Sequence, residues 1–429
     1  MKIIPILNVT IFTILFLSAT NSNGQENAFK LSAQYRARSE FRNGYRTLTP
    51  DAAKPAFFIA QRARLLLSSK KDKISSKISI QDARTWGDEE QKKDFGGLQV
   101  NELWVELALK KGFSLKMGRQ ELVYYDHRLL GNLDWGNLTI SHDAMLLKYV
   151  NTANNINWHI GGAFNQVGEP FFGTDYGLKN YKFLGLSWFK KSMPKVYSNI
   201  SFLGILNGLN STDANSESVK TSITFGPLYN YQREKIRALL SAYYQTGKTE
   251  NNLSINAYMF NAYGEYRCGK ILAGLGFDYL SGNSDKTSAN KSHDFSTLYA
   301  TNHKFYGFLD YFLNIPADSD SRGLRDAYLR FGVVQNKKTR LILDVHHFSL
   351  AHENNAGANR IEPPLGVELD LSFDYKHSEL ISLYAGYSMM FAADNMEYIK
   401  GGNKERFNGW AFVMLNVTPV FFTHDFSNK

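Results

Sequence analysis

The sequence predicts an all-β fold: a transmembrane antiparallel β-barrel of about 18 strands with short periplasmic turns and long extracellular loops. Three observations predict it. Segments of about 9 to 13 residues alternate with period two, connections alternate between short and long, and an apolar leader opens the chain.

The leader is residues 3 to 19, "IIPILNVTIFTILFLSA", preceded by Met1 and Lys2. A basic start, an apolar centre and the small residues Ser22 and Gly24 ahead of Gln25 read as a secretory signal over 1–24, cleaved after Gly24. The remainder, 25–429, is expected to form one barrel domain. It has no apolar run of membrane-helix length, no heptads, no linker and no repeat of fixed period, which argues against a solenoid. Its single cysteine, Cys268, cannot form an internal disulfide.

The first strand sets the register. In "FKLSAQYRARSEFR", Phe29, Leu31, Ala33, Tyr35, Ala37 and Phe41 share one face, and Lys30, Arg36, Arg38, Glu40 and Arg42 share the other. A Lys or Arg turned to the bilayer midplane costs about 2–4 kcal/mol, so the apolar face meets lipid and the arginines face the lumen. The second strand, "AQRARLLLSS", directs Arg62 and Arg64 inward against outward Ala63, Leu65 and Leu67. Leu103, Val105, Leu107 and Leu109 then oppose Glu102 and Glu106, and Ala273, Leu275, Phe277 and Tyr279 oppose Asp278. Late in the chain, Val367, Leu369, Leu371 and Phe373 oppose Glu368 and Asp370, and residues 381 to 391 repeat the pattern.

Short, often Lys-rich turns fall at 69–73, 110–112, 151–155, 190–195, 230–235, 267–270, 335–339 and 376–379. Longer segments fall near 43–56, 85–98, 121–142, 166–180, 207–217, 246–253, 282–323, 349–364 and 392–408. Eight turns and nine loops imply an even strand number with both ends of the barrel on the short-turn side.

Arg36, Arg38, Arg62 and Arg64 fall on neighbouring strands and are expected to share one wall of the lumen. Guanidinium binds carboxylates in a two-pronged geometry, so this wall reads either as a path for polyanions or as a ladder of Arg–carboxylate pairs satisfying a polar interior. The net charge of +9 includes many turn lysines, which read as solvated residues at the membrane edge.

Catalytic and cofactor motifs are poor. Ser141, His142 and Asp143 are consecutive, and on a strand His142 points away from the other two. There is no G-x-S-x-G, H-E-x-x-H or P-loop, and "GLGFDY" lacks the third glycine of a dinucleotide fingerprint. His346, His347 and His352 lack a supporting metal cluster, and Asp318 and Asp320 lack the rest of a calcium loop. No enzyme activity, cofactor, metal or nucleic-acid partner is expected.

"GRQELVYYDHRLLGNLDWGN", Gly118 to Asn137, with "SHDAMLLKY" from Ser141, resembles the alginate-export family of outer-membrane proteins. So do "QDAR" (81–84), "YQTGK" (244–248), "NAY" (256–258), "FDYLSGN" (277–283), "GLRD" (323–326) and "DVHHF" (344–348), in order along the chain. The resemblance implies an 18-stranded barrel in the outer membrane of a Gram-negative bacterium, with an electropositive lumen that passes an acidic polysaccharide. It also implies that Arg84, Arg119 and Arg128 are pore or loop-base residues, organised through hydrogen bonds by Asp82, Gln120, Glu121, Asp126, Asp134 and Asp143. The expected partners are outer-membrane lipid, an anionic saccharide and periplasmic export or uptake components. A general or organic-anion-selective nutrient porin is the alternative, with the 282–323 loop folded inward as a constriction.

Overall fold

Eighteen strands form the barrel wall in a computed structural model, which describes residues 28–90, 92, 97–173, 180–212, 218–356, 359–361 and 363–426. The expected signal, 1–24, lies outside the described residues. Strands β1 to β6 span Ala28–Asn43, Ala56–Lys71, Ile74–Thr85, Gln99–Ala108, Phe113–Gln120 and His142–Asn151. Strands β7 to β12 span Ile156–Phe164, Phe183–Met193, Ser198–Asn210, Val219–Arg233, Ile236–Lys248 and Ser254–Cys268. Strands β13 to β18 span Ile271–Leu280, Leu324–Val334, Thr339–Leu350, Pro364–Lys376, Ile381–Ala392 and Asn408–Val417.

Each strand pairs antiparallel with its sequence neighbour. The barrel closes where β18 meets β1, from Tyr35 opposite Val417 to Asn43 opposite Gly409, and Val420–Asp425 continues the seam along Ala28–Ser32. Closure leaves no open edge, and an open edge is what a sheet in hydrocarbon cannot tolerate. Among the described residues no helix is long and apolar enough to cross a membrane.

Side-chain alternation decides which face is which. On β1, Arg36, Arg38 and Glu40 are buried inside, whereas Tyr35 and Phe41 are exposed outside. On β16 and β17, Glu368, Asp370 and Ser388 are buried within, while Leu371, Tyr387 and Phe391 are exposed without. A register shift at Ser79/Ile80 against β4 buries both Asn101 and Glu102, so outward Leu103 is followed by outward Val100 instead of residue 101.

The connections fall into two sets. Eight of two to four residues (72–73, 109–112, 152–155, 194–197, 234–235, 269–270, 335–338, 377–380) close the periplasmic end. Nine of five to 43 residues close the other. The two that matter most, 121–141 and 281–323, fold into the bore. Their Leu122, Leu129, Leu130, Phe295, Leu309, Tyr311 and Phe312 join one apolar cluster with inward residues of the wall. The barrel therefore has a core at its waist, built from loops.

Candidate functional site

Loop 121–141 leaves β5 and crosses the lumen. Tyr124 packs against Trp188 of β8, and its hydroxyl shares a 3.1 Å hydrogen bond with His159 of β7. Tyr125 donates to Asn199 of β9. Arg128 reaches β13, donating from Nη1 to Asp278 at 2.7 Å, with its guanidinium 4.1 Å over the Phe305 ring. Left-handed backbone at Tyr125, His127 and Leu133 lets the segment reverse and return to the opposite wall.

There it meets the arginines of β1 and β2. Arg36 donates to the carbonyls of Asp134 (2.5 Å) and Gly136 (2.6 Å), and Arg38 to that of Trp135 (2.8 Å). Arg62, fully buried, donates from Nη2 to Gln34 and to the Asp134 carboxylate, both at 2.8 Å. Arg64 grips Gln81 at 2.7 Å and lies 3.7 Å from Asp134. All four side chains point inward, and the loop covers them; of the four, Arg36 alone borders the open cavity below. At this height each of the four arginines has a carboxylate partner, Glu40 for Arg38 and Asp134 for Arg36, Arg62 and Arg64. Arg36, Arg38 and Arg62 add backbone carbonyls, because the donor fork of a guanidinium suits a loop that presents several acceptors in a row.

Charge is unbalanced here. Arg38 and Arg42 share Glu40. Among the described residues, Arg36, Arg62 and Arg64 share the Asp134 carboxylate, at 3.9, 2.8 and 3.7 Å.

Loop 281–323 supplies the second half of the plate. Thr301 and Tyr299 exchange backbone hydrogen bonds with 127–131, and Trp135 stacks on His303 with ring centroids 4.2 Å apart. His303 is bonded to Asp310 at 2.6 Å. The loop is moored to the wall where the amides of Phe308 and Leu309 donate to Asp370 and Glu368, at 3.1 and 2.7 Å. Gly307, at φ +78°, sits so close that a Cβ would come within 2.6 Å of the Glu368 carboxyl.

Below the plate a cavity of about 1940 Å³ extends to the periplasmic turns. Trp135, Thr301, His303, Lys304 and Phe308 form its ceiling. Ten lysines and arginines line it against six acidic residues. Arg330 pairs with Asp344 and Arg340 with Asp374, each at 2.6 Å, and Arg36 lies 3.9 Å from Asp134, so the surplus lies among Lys304 and, at the turn end, Arg233, Lys235, Arg267, Lys337, Lys338 and Lys376, seven cations against Glu234, Glu265 and Glu379. The Lys304 ammonium donates weakly to the Asp126 carbonyl at 3.4 Å and lies 5.6 Å over the Phe305 ring. Burial pushes its ammonium down to about 8; nearby Asp126 opposes the shift, and Arg237, Arg128 and Arg330 reinforce it. Burial also pushes the Asp126 carboxyl up, against the pull of Arg128.

The residues carried over by resemblance divide. Gln120 is buried and donates to the carbonyls of Ala144 (2.9 Å) and Gly118 (3.2 Å). Glu121 accepts from Asn132 at 2.8 Å, Asp126 binds the Arg128 amide at 3.2 Å, and Asp134 organises the arginines. These support loop 121–141. By contrast, Asp82 and Arg84 lie opposite Ala63 and Gln61, on the face that carries Tyr35, and Arg119 lies opposite Leu103 and Asp143. Strand parity puts all four on the outer wall, which overturns the pore half of the expectation for Arg84 and Arg119; each stands one residue from the end of its strand, at the base of a loop. Arg84 is held by Asp82 and by Glu89 at 2.7–2.8 Å. His142 is turned inward to Tyr181, away from Asp143.

Sequence reasoning missed Arg330, Arg340 and Lys304. Alternation of Arg330 with Leu329 and Phe331, and of Arg340 with Leu341, marked the first two as inward. Nothing local marked Lys304, because its place depends on how a 43-residue loop folds.

Comparison with known proteins agrees with this architecture. No curated protein matches the chain. Among solved structures, Acinetobacter baumannii OccAB4 aligns at TM-score 0.61 and 15% identity, covering 92% of this chain and 99% of that one. Pseudomonas aeruginosa OpdL aligns at 0.62 and 12%, again over 92% and 99%. P. aeruginosa OpdK, determined with vanillate, aligns at 0.58 and 9%, over 91% and 99%. These likenesses show the fold of outer-membrane porins. The family model described as alginate export matches residues 28–409, nearly the whole described barrel. The chain belongs to the alginate export family and is an outer-membrane channel.

Proposed function

We propose that this channel passes acidic saccharides, alginate-like uronates first among them, down an existing gradient without chemical conversion. The observation that carries the reading is the cation surplus of the vestibule: ten basic residues, the Lys304 ammonium of the ceiling among them, against six acidic. A narrow bore with low-dielectric walls concentrates such a field and raises the local concentration of anions. The family description favours a uronate chain.

A second reading, a porin for small organic anions, is supported by the two loops across the bore, which favour small cargo, and by vanillate, itself a carboxylate, in the OpdK structure. Single-channel recording separates the readings. Oligouronate added on the turn side should interrupt the current in a salt-dependent manner, and an uncharged oligosaccharide of equal length should not. Equal effects of the two sugars would remove the acidic-saccharide reading. Block by aromatic carboxylates without block by oligouronates would establish the second.

A further inference from the structure

The outer wall at β4–β7 carries features that lipid alone does not explain. Strands β4, β5, β6 and β7 have 10, 8, 10 and 9 residues, the only four consecutive barrel strands of ten or fewer. Strands of about this length are what the apolar band needs, so this wall carries little strand beyond the band. On this wall Arg119 and Asp143 face outward, side by side in the β5–β6 register. Their side chains are 42% and 60% exposed. Arg119 lies six residues from Phe113 at the turn end of β5. At about 3.3 Å per residue and a tilt of about 40°, this is roughly 15 Å up an apolar band about 25 Å tall. Leu103 and Val100 on β4, Leu98 just before it, Met145 on β6 and Phe164 on β7 are all exposed around the pair. Charged groups at such depth are costly in lipid and are functional until shown otherwise.

Their contacts are incomplete. Arg119 donates from Nε to the Val100 carbonyl at 3.0 Å and approaches Asp143 Oδ2 at 3.3 Å from Nη1. The second terminal nitrogen and Asp143 Oδ1 have no partner among the described residues. An anionic lipid headgroup suits Arg119 and is repelled by Asp143 beside it. A surface that carries one cation and one anion at adjacent positions is instead complementary to itself about a two-fold axis.

We propose that β4–β7 form a lateral interface with a second copy of this chain, in which Arg119 of each copy pairs with Asp143 of the other. The apolar side chains around the pair exclude lipid from it.

The test is site-specific cross-linking in outer membranes, in the full chain with Cys268→Ser. Met145→Cys treated with a short bifunctional maleimide should give a band of twice the monomer mass, and Leu329→Cys on distant β14 should not. Absence of the Met145 band, equal bands at both sites, or an adduct of any other mass would overturn the proposal. Added to Met145→Cys, Arg119→Glu and Asp143→Arg should each weaken the band at least tenfold. Co-expression of the two variants should restore it, because each copy then offers the charge the other needs. Loss without restoration in trans, or a band indifferent to both changes, would also overturn the proposal; heat-modifiable gel migration verifies that each variant has folded.

Discussion

Arg62 shows how a charged residue ends up buried in a membrane protein. The side chain is fully buried, yet its two terminal nitrogens meet Gln34, the Asp134 carboxylate and the carbonyls of Asp134 and Gly136. Removing one partner of a buried pair costs about 3–5 kcal/mol, because the other is left without compensation. Arg62→Ala is expected to lose about that much in urea unfolding and to expose 133–138 to protease. Arg62→Lys should not restore the wild-type values, since an ammonium lacks the planar fork. Lys304 makes a different prediction. With its ammonium pushed down to about 8, it is charged below that pH and neutral above it. Anion preference should therefore fall as pH rises from 7 to 9. Lys304→Arg should flatten this dependence at the high-preference level and Lys304→Met at the low one, as read from reversal potentials.

At the scale of elements, the strands and turns were legible and the loop plate largely was not. Each strand sees lipid on one side and a wet interior on the other, so its identity is written every second residue, as Glu368 and Asp370 inside and Leu371 outside illustrate. The same parity, applied to Asp82, Arg84, Arg119 and Asp143, puts them on the outer wall; the resemblance implies a pore or loop-base place for Arg84 and Arg119, with Asp82 and Asp143 organising them. The inward fold of the 282–323 loop was anticipated as a feature of a nutrient porin. Its mooring was not, because amides of Phe308 and Leu309 that find Glu368 and Asp370 across the bore leave no periodic trace in sequence. Gly307 tests that mooring. Gly307→Ala at φ +78° places a methyl against the Glu368 carboxyl, so the loop must lift. Single-channel conductance should increase, with frequent switching between levels, while the barrel stays heat-modifiable.

On the scale of the whole molecule, a closed wall, a two-loop plate and a basic vestibule divide the labour. The wall satisfies its backbone without water, the plate narrows the bore and holds four arginines in one place, and the vestibule presents surplus cation to whatever arrives from the turn side. The sequence pattern specified the wall at nearly every strand. The plate and vestibule depend on contacts between segments far apart in the chain, such as Trp135 on His303, and only a three-dimensional structure reveals them. The central claim is that fixed positive charge at the plate and vestibule decides which ions pass. The most direct measurement is the reversal potential of purified channel in a planar bilayer under a potassium chloride gradient, at low salt where screening is weak. The account predicts chloride preference, reduced in a Lys304→Met/Lys337→Met/Lys338→Met variant; potassium preference in the unaltered channel would contradict it.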